Sequence, residues 1–542
     1  MPDLVLGPIQ RFADETCATV WVETDVACEV SVLGGTEHTF QVHGHHYALV
    51  SVTDLEPGSV NAYEVALDGQ RVWPPADDPF PPPVIRTRDG ADTRITFGSC
   101  RGAAPLEPPW TLDKSQDPRG LGPDALTAYA QRMVDADERD WPDLLLLLGD
   151  QVYADDASPR TRAFIRERRD VSRPPGEEIA DFEEYTHLYR ESWSLPLVRW
   201  LLSTVPVAMM FDDHDVIDDW NISWQWVADM RATDWWEDRI VGALVAYWIY
   251  QHLGNLSPAQ LAEDELYHRV RGAGDAGDVL DRFAHTADRD PTAVRWSFDR
   301  TLGDSQLIVV DSRAGRVLDE GRRDMLDEAE WAWLEQCLDR PGRRVLIASS
   351  LPIVMPRSVH DVEHWNQHLA AGAWGRRAAR MAERMRREFD LEHWSAFPEG
   401  FARMMRLIAR LVARPDAPDS VTLLSGDVHH AYVSRVAIGD GRRPVHQVVA
   451  SPMRQTVPPL LVRIYRVGVG AAGRALGRVL TRLAGLPPPP VSWDRLTEPL
   501  FANHVATLDS TGGGTHLRVE TAHQTQPAGP AQLRRAFEME LT

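Results

Sequence analysis

Up to about residue 88, apolar and polar positions alternate in short runs. CATVWVET (17–24), CEVSVLGG (28–35), HYALVSVTD (46–54) and AYEVALDG (62–69) are β-branched and are separated by Gly, Asp and Pro. That spacing predicts an all-β sandwich module over residues 1–88. The Pro-rich VWPPADDPFPPPVIRT (72–87) reads as a linker or a final edge strand. The period changes after about residue 90. Continuous apolar runs of strand length now alternate with helical stretches such as LTAYAQRMVDADER (126–139), WWEDRIVGALVAYWIYQHLG (235–254) and MLDEAEWAWLEQCLDR (325–340), the last preceding the strand VLIASS (345–350). Such alternation predicts an α/β layered domain over 89–456. A third region, 457–542, carries a helix to about residue 486, then PPPP, strand-like VATLD and THLRVETA, and a short last helix.

The residues that follow the buried strand runs carry the chemical signal. TRITFGSC ends in Cys100, and DLLLLLGDQVYADD delivers Asp150 and Tyr153. VPVAMMFDDHD delivers Asp212, Asp213, His214 and Asp215. LIVVDSR ends in Asp311 and Arg313, and VTLLSGDVHH ends in Asp427, His429 and His430. In α/β sheets ligands bind beyond the carboxyl ends of the strands, so these groups converge on one rim. A single Asp there is commonly a turn or cap residue; five runs bringing carboxylate, thiol, phenol and imidazole together are not explained by capping. Several carboxylates in one small site need a proton or a cation among them, and the accompanying His and Cys favour a metal. Two metals about 4 Å apart would activate a water and clamp an in-line phosphoryl displacement. Thiolate and phenolate ligands suit Fe3+ or Zn2+, whereas Asp213 and Asp427 suit Ca2+, Mg2+ or Mn2+.

FGSC (97–100), LGDQVYADD (148–156), FDDHD (211–215) and SGDVHH (425–430), in that order, resemble the motif set of the PhoD-like (alkaline phosphatase D) metallophosphatases. The opening GPIQRFADETCATVWVET is similar to the β-sandwich module of that family. The resemblance implies a four-layer αββα domain hydrolysing phosphate esters at a dinuclear or larger site of Fe3+ with Ca2+. It implies that Cys100, Asp150, Tyr153 and His429 hold the first metal and that Asp150 bridges to a second held by Asp213 and Asp427. It also places His214 beside the leaving-group oxygen. Three features depart from the pattern. Asp215 stands where the family usually has Glu, Asp218 and Asp219 with Asn221 replace an Asn pair, and no twin-arginine signal is present.

Further residues border the expected site. Arg313 is a candidate clamp for a phosphate oxygen, or the partner of Asp311 in a structural ion pair. His430 is a neighbour of the ligand set. His360, His364 and His368, spaced by four, would share one face of a helix and could bind metal or border the pocket. Glu392 and Trp394 lie where they would line its entrance.

Charge and composition narrow the partners. Lys+Arg total 57 against 80 Asp+Glu, a formal net charge of −23, which argues against nucleic acid as a dedicated partner. Four cysteines in 542 residues are no disulfide framework. The start MPDLVLGPIQ has neither a basic nor an apolar leader region, and no apolar run is long enough to span a bilayer, so a cytoplasmic chain is expected. Arg474, Arg478 and Arg482 make a basic face on the apolar, glycine-rich 457–486 stretch. That pattern fits a packed helix with a solvated stripe, a membrane-surface helix or a lid. The function expected is metal-dependent hydrolysis of a small phosphate monoester or diester. The alternatives are a phospholipase-like lipid phosphodiesterase and a non-catalytic binding protein clipped by metal.

Overall fold

A computed structural model of the chain describes residues 1–439, 441–526 and 529–542. The N-terminal β-rich region opens with a four-stranded sheet of order β1-β2-β6-β5, formed by β1 (Leu4–Ala13), β2 (Ala18–Thr24), β5 (Phe40–Val42) and β6 (His45–Val52). Facing it is a sheet of order β4-β3-β8-β9, made of β3 (Glu29–Val32), β4 (Gly35–His38), β8 (Val65–Leu67) and β9 (Gln70–Trp73). The Pro-rich segment ends in an edge strand, β10 (Val84–Arg86), which pairs with β7 (Val60–Ala62). Alternation decides which way each strand faces. Val20, Val22, Ala48 and Val50 meet Val30, Val32, Val65 and Leu67 inside the sandwich. Their neighbours Trp21, Tyr47 and Leu49 point the other way and join the core of the following domain.

Two mixed sheets build that domain. One has the order β13-β12-β11-β21-β22-β23, with β11 (Thr93–Gly98), β12 (Leu144–Leu148) and β13 (Val207–Met210) parallel to one another. Antiparallel β21 (His504–Thr511), β22 (Gly514–His523) and β23 (Gln532–Glu540) extend it. The other has the order β14-β15-β16-β17-β19-β18-β20. Its parallel centre is β15 (Ser305–Val310), β16 (Arg344–Ser349), β17 (Ser420–Ser425) and β19 (Val445–Val449). Antiparallel β14 (Phe298–Leu302), β18 (Tyr432–Ala437) and β20 (Ser492–Arg495) complete it. Along β15, Leu307 and Val309 pack in one cluster with Leu145 and Phe97 of the first sheet. Ile308 and Val310 pack in another with the helices Glu328–Cys337 and Pro398–Val412. Sheets therefore face each other and helices cover both outer faces, giving four αββα layers.

Three segments differ from the sequence expectation. Residues 532–540 form the edge strand β23 in place of a last helix. Their helix-compatible composition yields to pairing with β22, whose outer edge would otherwise lie open. The stretch 457–486 is two helices, Pro459–Gly468 and Ala471–Leu483, broken at Val469 and Gly470. The 235–254 helix is regular only over Trp236–Ala246 and widens to a π-turn at Tyr247–His252. A π-turn frees carbonyls, and the sandwich supplies their partner. Arg11, fully buried on β1, donates from Nη1 to Tyr250 O (2.6 Å) and from Nη2 to Gln251 O (2.5 Å).

Candidate metal centre

The parallel strands β11, β12, β13, β15 and β17 end on one rim. After β11 comes Cys100, after β12 Gly149 and Asp150, after β13 Asp212 to Asp215, and after β17 Gly426, Asp427 and His429. The loops meet at very short range. A Cβ on Gly149 would lie 2.6 Å from Asp212 Cβ, and one on Gly426 would lie 2.1 Å from Ser99 Oγ. Only glycine allows this approach, and Ser99 Oγ then accepts the Asp427 N–H at 3.0 Å. Cys100 (φ 54°), Asp150 (φ 48°), Asp427 (φ 66°) and His429 (φ 50°) all occupy the left-handed region, which costs an L-residue roughly 1–2 kcal/mol. That conformation turns each side chain off its strand direction and into the rim.

The result is a chain of three overlapping donor groups, each within 4.8 Å: Cys100, Asp150 and His429; Asp150, Asp213 and His214; Asp212, Asp213 and Asp427. Asp150 belongs to the first two. Tyr153 OH donates to Asp150 Oδ2 at 3.3 Å, which brings the phenol to the same pocket. Burial pushes the Cys100 thiol and Tyr153 phenol up, and nearby carboxylates add to the effect. It pushes His429 down to about 4, leaving a neutral imidazole ready to ligate. Burial, with neighbouring carboxylates, also holds the Asp150 and Asp212 carboxyls well above the usual range. Asp150 Oδ1 and Asp212 Oδ2 are buried without a hydrogen-bond partner. Soft and hard donors, carboxylates raised by burial and by one another, and orphaned oxygens together fit a cation among them.

Arg313 does not reach the cavity as a phosphate clamp. Its side chain is fully buried, pairing through Nε with Asp212 and through Nη1 with Glu392 Oε2 (2.5 Å). Its Nη2 lies 3.0 Å from Asp213 Oδ1 and 3.5 Å from Asp427 Oδ1. It is an internal counter-charge for carboxylates that would otherwise repel one another. Asp311 is no ion-pair partner for it; the Asp311 carboxylate accepts the backbone N–H groups of Arg313, Ala314 and Gly315.

His214 lines the cavity, its ring 4.7 Å from that of Tyr153. Its orienting carboxylate is Asp155, 2.8 Å from Nδ1. Asp155 lies in the LGDQVYADD run, where the sequence singles out only Asp150 and Tyr153. Burial disfavours the imidazolium, yet Asp155 outweighs it and the His214 pKa is raised. Asp215 does other work. Its carboxylate accepts from Asp212 N (2.9 Å), Val152 N (3.2 Å) and Gln251 Nε2 (3.2 Å), tying two rim loops to the π-turn that Arg11 holds. Asp218 lines the cavity, Asp219 N donates to Asp213 Oδ2 (3.1 Å), and Asn221 Nδ2 donates to Arg313 O (3.2 Å).

The helix Arg357–Ala370 carries the three spaced histidines, but not as a ligand set. His360 turns inward between Phe401 (4.8 Å) and Trp493 (5.0 Å), away from the cavity, because burial there is apolar. Glu363 of the same helix does reach the site. Its carboxylate holds His393 Nδ1 at 2.6 Å, and His393 Nε2 lies 3.5 Å from Asp427 Oδ2. Burial alone would lower His393, but Glu363 and Asp427 raise it to about 10. Asp427 falls to about 2, since the His393 bond and Arg313 outweigh its own burial. Glu392 lines the cavity, as the sequence suggests, and so does its neighbour His393, which the sequence does not single out. His430 accepts at Nε2 from Tyr465 OH (2.5 Å), joining the Asp427–His429 loop to the Pro459–Gly468 helix.

Above the rim opens a cavity of about 490 Å³. Asp213, His214, Asp427 and His429 lie at its polar end, while Val359, Val362, Leu391, Ile464 and Leu476 build an apolar wall.

Comparison with known proteins agrees with this fold. Residues 1–85 match the model of a domain of unknown function (DUF7800). A solved structure titled "Structure of PhoD" superposes with a TM-score of 0.59 at 13% identity, covering 99% of this chain and 90% of that one, a likeness of fold. A search of curated proteins found no match. Residues 124–458 match the PhoD-like phosphatase family model, which spans more than half of the chain and carries three of the four rim motifs, so the chain belongs to the PhoD-like phosphatase family.

Proposed function

We propose that the protein is a metal-dependent phosphohydrolase whose rim binds two or more metals and cleaves a phosphate monoester or diester in the cavity above. Family membership implies a phosphate-ester hydrolase. The observation that carries the finer reading is Asp150, which meets Cys100 and His429 on one side and Asp213 on the other. Cys100, Asp150, Tyr153 and His429 would hold one metal, and their thiolate and phenolate donors suit Fe3+ best and Zn2+ next. Asp213 and Asp427, with Asp150 between the two sites, would hold a second metal that prefers carboxylate oxygen, such as Ca2+, Mn2+ or Mg2+. Metals held there would supply charge to the phosphoryl oxygens and lower the pKa of a water.

The chain's own residues do the rest. Asp155 fixes His214 through Nδ1, which leaves Nε2 to give a proton to the departing alcohol. Arg313 keeps Asp212, Asp213 and Asp427 close without protonation of all three. A second reading, lipid phosphodiester cleavage, is favoured by the apolar wall of the cavity and by exposed apolar residues at 459–483. A purely structural metal clip is disfavoured, since a closed clip needs neither the cavity nor a carboxylate-held histidine.

The test is hydrolysis of p-nitrophenyl phosphate and bis-p-nitrophenyl phosphate, with and without chelator, alongside metal analysis of the same preparation. Chelator-sensitive turnover with at least two metals per chain is expected, and the preferred ester separates monoesterase from diesterase. Metal binding without turnover on either ester would overturn the reading in favour of the clip.

A further inference from the structure

The two helices Pro459–Gly468 and Ala471–Leu483 form a hairpin over the cavity mouth, and their surface is unlike the rest of the molecule. The packed-helix reading of this stretch requires its apolar side chains to be buried. Most are not: Leu460, Ile464, Val467, Leu476, Val479 and Leu483 are each at least half exposed. On the second helix only Gly477 is buried, and it seats on the neighbouring helix, where a Cβ would lie 2.8 Å from Asp361 Cβ. Leu480 packs beside it against the Trp365 and Leu369 cluster. With that face turned inward, helical periodicity leaves two stripes outside, Leu476–Val479–Leu483 and Arg474–Arg478–Arg482.

The charge of the hairpin opposes that of the protein. The chain carries −23, yet no Asp or Glu occurs between residues 441 and 493, while Arg463, Arg466, Arg474, Arg478 and Arg482 are all exposed. Among the described residues none of the five has an ion-pair partner. The helix Arg376–Glu388 joins the same small cluster through Ala382 and Met385, and it adds exposed Arg376, Arg377, Arg380 and Arg384. Apolar side chains beside unpaired arginines, on a helix lying along the surface, match an anionic bilayer: the apolar stripe enters the headgroup boundary and the guanidinium groups meet phosphate. Among the described residues no helix is long and apolar enough to cross a membrane, and the hairpin would lie in the plane of the surface. Ile464, Tyr465 and Leu476 also line the cavity, so the apolar surface runs continuously into its mouth.

We propose that the 459–483 hairpin docks the protein onto an anionic lipid surface with the cavity mouth facing the bilayer. The inference adds a partner to the hydrolase reading and rests on it only for calling that mouth an active-site mouth, since docking is measured without turnover.

The experiment is flotation of the full chain with vesicles of phosphatidylcholine alone and of phosphatidylcholine with phosphatidylglycerol, at low and high salt. Binding to the anionic vesicles, weakened by salt, is expected. The Arg474→Gln/Arg478→Gln/Arg482→Gln variant should bind on the order of 100-fold more weakly. The Val467→Gln/Val479→Gln/Leu483→Gln variant should lose binding while hydrolysing soluble esters as the parent does, because none of those side chains lines the cavity. No binding to anionic vesicles, or binding untouched by both variants, would overturn the proposal. So would a dimer, seen by light scattering, that the apolar variant abolishes, because the face would then belong to a second copy. Loss of ester hydrolysis with vesicle binding intact would strike the hydrolase reading and leave docking standing.

Discussion

The N-terminal sandwich and the candidate metal rim use the same uncommon backbone conformation for different ends. In the sandwich, Leu33-Gly34, His43-Gly44 and Asp68-Gly69 each join two strands through a two-residue turn with both residues at positive φ. That is the turn whose twist matches a hairpin, and pairing of the flanking strands compensates it locally. At the rim, Cys100, Asp150, Asp427 and His429 also have positive φ, yet none lies in a two-residue hairpin, and each carries a metal-binding group toward the others. Strain with a local structural reason is ordinary. Strain in four residues whose common property is donor chemistry points to a site.

The comparison breaks first at Asp150. Replacing it with Gly relieves the backbone and removes an orphaned carboxylate, so the metal-free protein should gain about 1 kcal/mol in thermal unfolding. The same variant should lose bound metal, and turnover should fall by roughly 10³-fold or more. A metal-free Asp150→Gly protein that melts below the metal-free parent would show that no strain is stored there. His214→Ala should keep its metal and lose about 10²–10³-fold in turnover. Asp155→Asn, which only reorients that imidazole, should cost about 10–100-fold. Equal turnover by Asp155→Asn and the parent would remove Asp155 from its positioning role.

How much of this was legible in the sequence follows the same division. The sandwich hairpins announce themselves, because Gly and Asp interrupt alternating runs. The rim strands are legible too, since apolar runs end in polar groups. Asp155 and His393 were not assigned, because their partners are distant: Asp155 meets His214 across 59 residues, and His393 meets Glu363 across 30. Helical spacing correctly grouped His360 with its neighbours on one segment. It gave no indication that Glu363, between them, is the residue that reaches the site. Arg313 reads equally as a phosphate clamp or as a structural ion pair beside Asp311, and only the buried carboxylates around it show that it points inward. The last helix failed because pairing of an edge strand with β22 is a tertiary preference that composition does not record.

A smaller effect lies at the seam between the two regions. His45 of β6 contacts Glu183 at 2.7 Å and Glu23 at 3.4 Å. Arg190 and Tyr250 OH also bind Glu23, and the rings of Tyr47 and Phe182 face the imidazole. Burial alone would lower its pKa, but the two carboxylates raise it to about 9. A raised folded-state pKa stabilises fully below the unfolded value near 6.5 and is lost as pH rises through about 9. Glu183 is partly exposed, so about 1 kcal/mol is a fair size. The melting difference between parent and His45→Gln should therefore be largest near pH 6 and vanish above about pH 9. A difference that stays constant across that range would assign His45 a packing role only.

The smallest effect returns to the hairpins and sharpens the contrast most. Leu33 is a branched, partly exposed residue at φ 45°, with no side-chain hydrogen bond to lose. Leu33→Asn would make the turn Asn-Gly, the pair best suited to two successive positive φ values, and should add about 0.5 kcal/mol to stability. Turnover and metal content should not change, because the turn lies in the sandwich and its strain serves no ligand. If Leu33→Asn stabilises without touching turnover while Asp150→Gly stabilises the metal-free protein and abolishes turnover, one conformation will have been shown to serve two purposes. A change in metal content on altering Leu33 would mean instead that the sandwich and the rim are coupled, and Arg11, which bonds the π-turn that Asp215 and Gln251 connect to the rim loops, is the path such coupling would take.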